Sequence, residues 1–180
     1  MNVLAGDRNA FAELVQRYEG RVRGYCLMMF SNHTMAEDAA QEVFIKAYYA
    51  LAQFRGNSSF STWLYRISVN HCTDTLRKAV RRRTESWEAL LEKEGERIEA
   101  LFVTSPDVEG AERVDLIAKL LSHLPERSRT MLVLREIHGL NYQELAETLD
   151  CSIDAVKSGL KRARQELEIK SRHILKAKGV

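Results

Sequence analysis

The side chains best equipped for chemistry stand on a helical repeat near the C-terminus. In NYQELAETLDCSIDAVKSGLKRARQEL, residues 141–167, Val156, Leu160, Ala163 and Leu167 fall at i, i+4, i+7 and i+11, one apolar helix face. The opposite face carries Asp154, Lys157, Ser158, Lys161, Arg162 and Gln165. Lys and Arg in such a row can meet phosphates, while Ser, Gln and Arg can read base edges. Ser152 stands just before this helix, where its hydroxyl can accept from a free backbone N–H of the first turn. Upstream, Leu145, Ala146 and Leu149 mark a shorter helix, and the two meet at Asp150 and Cys151. Ala146 is small enough to let them cross closely. The pattern predicts a helix-turn-helix over 141–165 whose second helix enters the major groove of duplex DNA. A plain hairpin with a solvated basic face would not need the cap, the small crossing residue and the spacing together.

A second polar group lies in the first half. FRGNSSFS, residues 54–61, reads as a loop from its Gly, Asn and Ser content. It leads into a helix over about 62–83 on which Arg66, Asn70, Thr73 and Arg77 form a mostly cationic stripe, with Phe60, Leu64 and Ile67 turned to a core. Aromatic rings beside a basic stripe suit unstacked single-stranded bases, and a small polar loop can hold a base turned out of its stack. Trp63 and Tyr65 flank the stripe; they either stack on bases or pack the bundle.

A third group is acidic. The preceding helix, about 34–53, buries Ala40, Phe44, Ala47, Tyr48 and Leu51, with Thr34 and Glu37 spaced as a capping box. Asp38, Gln41 and Glu42 share its other side with Ile45. Carboxylates bordered by an exposed apolar residue fit a protein partner better than DNA, whose phosphates would repel them; a solvated face would look the same. Nothing catalytic accompanies these groups. There is no carboxylate cluster or Cys/His pair with metal spacing and no Gly-rich phosphate loop, so the expectation is no enzyme, no metal and no cofactor.

The elements that position these groups read as helix throughout. Among 180 residues there are only 2 Pro and 9 Gly, and Leu, Ala, Glu, Arg and Lys abound. A first helix is expected from Asp7, its cap, to Phe30, with Phe11, Leu14, Val15, Tyr18, Val22 and Tyr25 inward, and a break at Ser31–His33. Later come a helix over 115–124 with Leu116, Leu120 and Leu124 on one face, then one from Pro125 that Gly139 ends. Beyond Glu168 the pattern weakens and the tail is expected to fray.

The net charge of +2 conceals segregation. Residues 66–83 hold six Lys/Arg against one acid, 85–115 hold ten acids against three Lys/Arg, and 151–180 hold eight Lys/Arg against three acids. Two basic blocks separated by an acidic one suggest two nucleic-acid contacts joined by a segment that avoids DNA. The expected architecture is all-α: two small helical domains, 1–83 and 108–180, joined by an acidic linker, 84–107. No apolar run approaches membrane-spanning length, the start lacks a secretory pattern, and Cys26, Cys72 and Cys151 suit a reducing compartment, so a cytoplasmic location is expected.

AEDAAQEVFIKAYYALAQFRGNSSFSTWLYRISVN followed by LPERSRTMLVLREIHGLNYQELAETLDCSIDAVKSGLKRARQEL resembles the extracytoplasmic-function sigma factors of bacteria. The resemblance extends from GDRNAFAELVQRY to Leu167. It implies a region 2 domain whose DAxQExF residues, Asp38, Gln41, Glu42 and Phe44, lie on a helix that docks, with Ile45, on the clamp of core RNA polymerase. It implies that Arg55, Asn57, Ser58 and Phe60 belong to a pocket for a flipped base of the −10 element. Arg66, Asn70 and Arg77 then lie on the melting helix. It implies a region 4 domain that meets the polymerase flap and reads the −35 duplex with Ser152, Asp154, Lys157, Ser158, Lys161 and Arg162. An anti-sigma protein is the expected further partner, and it would place the chain at the inner membrane where it is itself anchored there. Two departures stand out. Asp150 occupies a turn position where the family often has Gly, although Asp tolerates the left-handed conformation. Asn57 stands where acids also occur, leaving the flipped base open.

Overall fold

The computed structural model describes residues 8–90 and 109–177, and among these every regular element is helical. Helices α1 (Arg8–Phe30), α2 (His33–Ala50) and α3 (Phe60–Leu90) form the first half; α4 (Glu109–Ser122), α5 (Glu126–Leu132), α6 (Tyr142–Leu149) and α7 (Ile153–Ala177) form the second. A π turn, Val133–Ile137, extends α5, and Gly139 follows at φ 75°, the left-handed residue expected there. The expected cap Asp7 and most of the acidic segment lie outside the described residues, while α3 runs on past position 83.

α2 turns Ala36, Ala39, Ala40, Val43, Phe44 and Ala47 inward. The four inward alanines present little bulk, so α1 and α2 approach closely along their length. Its start differs from expectation. Asn32 is the N-cap, accepting from the Met35 N–H at 2.9 Å, because Ser31 at φ 53° ends α1 early enough for α2 to begin at His33. Tyr48, expected inside, is 43% exposed and stacks edge-on against Phe11. Trp63 packs with Phe54 and Phe60, whereas Tyr65 is fully interior.

In the second half the inward face of α4 is Ala118 and Leu121, and Leu116 is 55% exposed. The face is rotated from the sequence expectation because α4 packs on the end of α1. There Ser31 donates to the Ala118 carbonyl, and His33 lies 3.0 Å from Asp115. α7 crosses α5 at Gly159, where a Cβ would overlap the Met131 thioether. It also stays helical to Ala177 instead of fraying after Glu168.

The two halves share one apolar cluster, running from Val22, Tyr25 and Met29 through Leu64 and Tyr65 to Val133, Leu134 and Leu145. Polar groups lock the seam. Arg129, interior despite its charge, donates to the Met29 carbonyl of α1 and to the Ser122 carbonyl of α4. Both carbonyls lie in last turns and have no partner within their own helices, and both sit at the negative end of a helix dipole. Desolvation lowers the Arg129 pKa, with Glu126 and Tyr25 opposing that. Thr73 of α3 donates to Glu126, and Tyr25 meets Thr130.

His138 occupies the same seam. Its Nδ1 lies 2.9 Å from the Tyr65 hydroxyl, its ring stands beside Tyr25, and its buried Nε2 has no partner among the described residues. Burial, then the charge of Arg21, brings its pKa down from 6.5 to about 4. Among the described residues no carboxylate is placed to welcome a second ring proton. The packed state therefore binds fewer protons than the unfolded chain between those values. Its stabilising share is complete above pH 6.5 and declines as pH falls toward 4. Between pH 7 and 5 the melting temperature should drop more steeply for the native chain than for His138→Gln. The comparison cancels His71, whose pKa burial also lowers. Parallel slopes in a calorimetric series would contradict this role.

Candidate nucleic-acid interface

The helix-turn-helix forms as its residues require. Asn141 caps α6 in a capping box with Glu144. Asp150 adopts φ 51°, ψ 54°, the left-handed conformation usually given to Gly, and the Cys151 N–H closes the turn on the Ala146 carbonyl at 3.0 Å. Ser152 then caps α7, accepting from the Ala155 N–H at 3.2 Å. Val156, Leu160 and Ala163 are buried. Asp154, Lys157, Ser158, Lys161 and Arg162 all face solvent, as does Ser152. Asp154 lies 3.4 Å from Lys157, an exposed pair that holds the lysine loosely and leaves it free to exchange for phosphate. The structure adds a residue that sequence periodicity missed. Arg127, at the start of α5, lines a cleft of about 450 Å³ with Ser158 and Arg162. Its signal, two arginines in ERSR, could not reveal that one points in and the other out.

In the first half Arg55, Asn57, Arg66, Asn70 and Arg77 are exposed, with Ser58 and Phe60 half-buried. Phe60 packs between Phe54 and Trp63 as the floor beneath the loop. Gly56 takes φ 72°, which lets the loop turn tightly. Ser59 caps α3, accepting from the Thr62 N–H at 3.1 Å. Asn57, Ser58, Thr62, Trp63 and Arg66 line one side of a cleft of about 340 Å³, and Glu147 and Asp150 line the other. Asp38, Gln41, Glu42 and Ile45 are all exposed on the outer side of α2. Tyr49, 76% exposed, extends this face one turn further. Its neighbour Tyr48 is expected in the core, so sequence periodicity gives no sign of it.

Two family models match the chain in this order: Sigma-70 region 2 over residues 14–82 and Sigma-70, region 4 over 115–167. The chain belongs to the sigma-70 family. It is similar to the RNA polymerase sigma-H factor of Pseudomonas aeruginosa, at 36% identity over 92% of this chain and 88% of that one. It is also similar to the ECF RNA polymerase sigma-E factor of Haemophilus influenzae, at 37% identity over 93% of this chain and 90% of that one. Among solved structures, CnrH in complex with the cytosolic domain of CnrY matches at TM-score 0.67 and 25% identity, covering 92% of this chain and 90% of that one. The fold also matches RpoE of Bartonella quintana, in complex with the anti-sigma factor NepR, at TM-score 0.72 and 24% identity. That match covers 91% of this chain and 97% of RpoE. This sigma factor of the extracytoplasmic-function type directs RNA polymerase to promoters and initiates transcription. Among the described residues no helix is long and apolar enough to cross a membrane.

The opposed faces of α7 give a paired test. Leu160→Ala removes a side chain that is 1% exposed and should cost roughly 2–5 kcal/mol of stability by thermal unfolding. Lys161→Ala should change stability by no more than about 0.5 kcal/mol. It should nevertheless lower the salt dependence of duplex DNA binding by roughly one released counterion. An unchanged salt slope would remove Lys161 from the interface.

Proposed function

We infer that this sigma factor divides its work among three surfaces. Asp38, Gln41, Glu42 and Ile45 dock on the clamp of core RNA polymerase. Arg55, Asn57, Ser58 and Phe60 receive an unstacked base of the −10 element, while Arg66, Asn70 and Arg77 track the backbone of the opened strand. Ser152, Asp154, Lys157, Ser158, Lys161 and Arg162 read the −35 duplex, with Arg127 reinforcing the phosphate contacts. The working units are residues 1–83 and 108–180, the second also meeting the polymerase flap, and 84–107 is the linker. The observation that carries this reading is the segregation of faces: the acidic and the basic groups are exposed on different helices, each backed by a buried apolar stripe.

Physical chemistry supports the assignment. Phosphate would be repelled by the carboxylates of α2, so that face suits protein. Melting is binding work: each unstacked base costs a few kcal/mol, and stacking with pocket contacts returns a similar amount. No covalent step is required, and we infer no catalytic residue, metal or cofactor. An anti-sigma protein is the expected regulator, a reading supported by the complexes in which CnrH and RpoE were solved. We place the chain in the cytoplasm, or at the inner membrane where such a regulator is anchored there.

Asp38→Arg with Glu42→Arg should abolish capture of core polymerase by the purified chain. Both positions are exposed, so the melting temperature and duplex binding should be retained. Undiminished capture would exclude α2 as the docking helix.

A further inference from the structure

The cleft beside the −10 loop is closed on its far side by the chain's own DNA reader. Glu147 lies on α6 and Asp150 at the turn before α7, and both line the cleft with Asn57, Ser58, Thr62, Trp63 and Arg66. The Asp150 carboxylate stands 3.8 Å from the Arg66 guanidinium. Both side chains are largely exposed, 87% and 52%, so the pair is worth at most about 1 kcal/mol. It does not hold the halves together. The shared apolar cluster and Arg129 do that. The seam instead delivers two carboxylates to the place where Arg66 stands beside the polar loop. Meanwhile Asp38, Gln41, Glu42 and Ile45 remain uncovered.

We propose that Glu147 and Asp150 form an acidic plug that occupies the single-strand site of the same chain, with Asp150 standing in for a DNA phosphate at Arg66. The proposal rests on the assignment of Asn57, Ser58 and Arg66 to that site. It makes Asp150 serve twice: its left-handed backbone shapes the helix-turn-helix, and its carboxylate screens Arg66. A strand must displace the plug to enter, so the closed chain discriminates against stray single-stranded nucleic acid while its polymerase face stays open.

The test is anisotropy of fluorescein-labelled dT20 with the full-length chain at low salt. Glu147→Gln with Asp150→Asn removes the charges and keeps a residue type that tolerates the left-handed turn. A control, Glu13→Gln with Glu19→Gln on exposed positions of α1, changes net charge equally. The plug variant should bind dT20 about three- to fivefold more tightly than the control, the scale of one exposed ion pair. That gain should vanish when Arg66→Ala is added. Equal affinity of plug variant and control, with Arg66→Ala still weakening both, overturns the plug and leaves the site standing. Should Arg66→Ala weaken neither, the site assignment fails, and the plug with it. A melting curve for each variant confirms that the fold is kept.

Discussion

One buried guanidinium carries an unusual share of this architecture. Arg129 reaches from the second half into the end of α1 and satisfies carbonyls at the ends of two helices at once. A charged donor at such a site contributes on the order of 1.5–3 kcal/mol, and leaving those acceptors dry and unpaired would cost a similar amount. Around it the apolar cluster is continuous across the seam, so neither half need present a complete core of its own in this state. At the seam buried Tyr65 meets half-buried His138, and buried Thr130 meets Tyr25.

That seam sets what remains available. A chain of this size builds its partner surfaces from the backs of its core helices. α2 buries alanines and shows carboxylates; α7 buries Val156, Leu160 and Ala163 and shows cations. In the proposed assignment, segregation by helix keeps the opposite charges of the two faces from neutralising each other. Where the halves do bring opposite charges together, at Arg66 and Asp150, the contact is exposed and weak, suited to exchange rather than to support.

Local chemistry was legible in the sequence and long-range chemistry was not. Ser152 as a cap, Asp150 as a left-handed turn residue and Gly139 as a helix stop follow from neighbours within a few positions, and all three are observed. The exposed residues of α2 and α7 follow from helical period. The cap of α2 was misplaced because Thr34 and Asn32 both carry the right chemistry, and the geometry of Ser31 decides between them. The face of α4 was misread because its partner, the end of α1, is remote in sequence. Arg129 had no signal at all, since an arginine in the polar run ERSRT looks like an exposed one until α1 arrives. Gly159 likewise shows its purpose only against Met131.

One half of the chain is proposed to contact opened DNA and the other intact duplex. The most direct measurement places a photoreactive residue at position 57 or at position 161, assembles each chain with core polymerase on one promoter, and maps the DNA crosslinks against the RNA start. Position 57 should crosslink a permanganate-reactive, unpaired segment next to the start, and position 161 a paired segment further upstream. Crosslinks from both positions falling in the same duplex segment, with no unpaired bases near position 57, would contradict it.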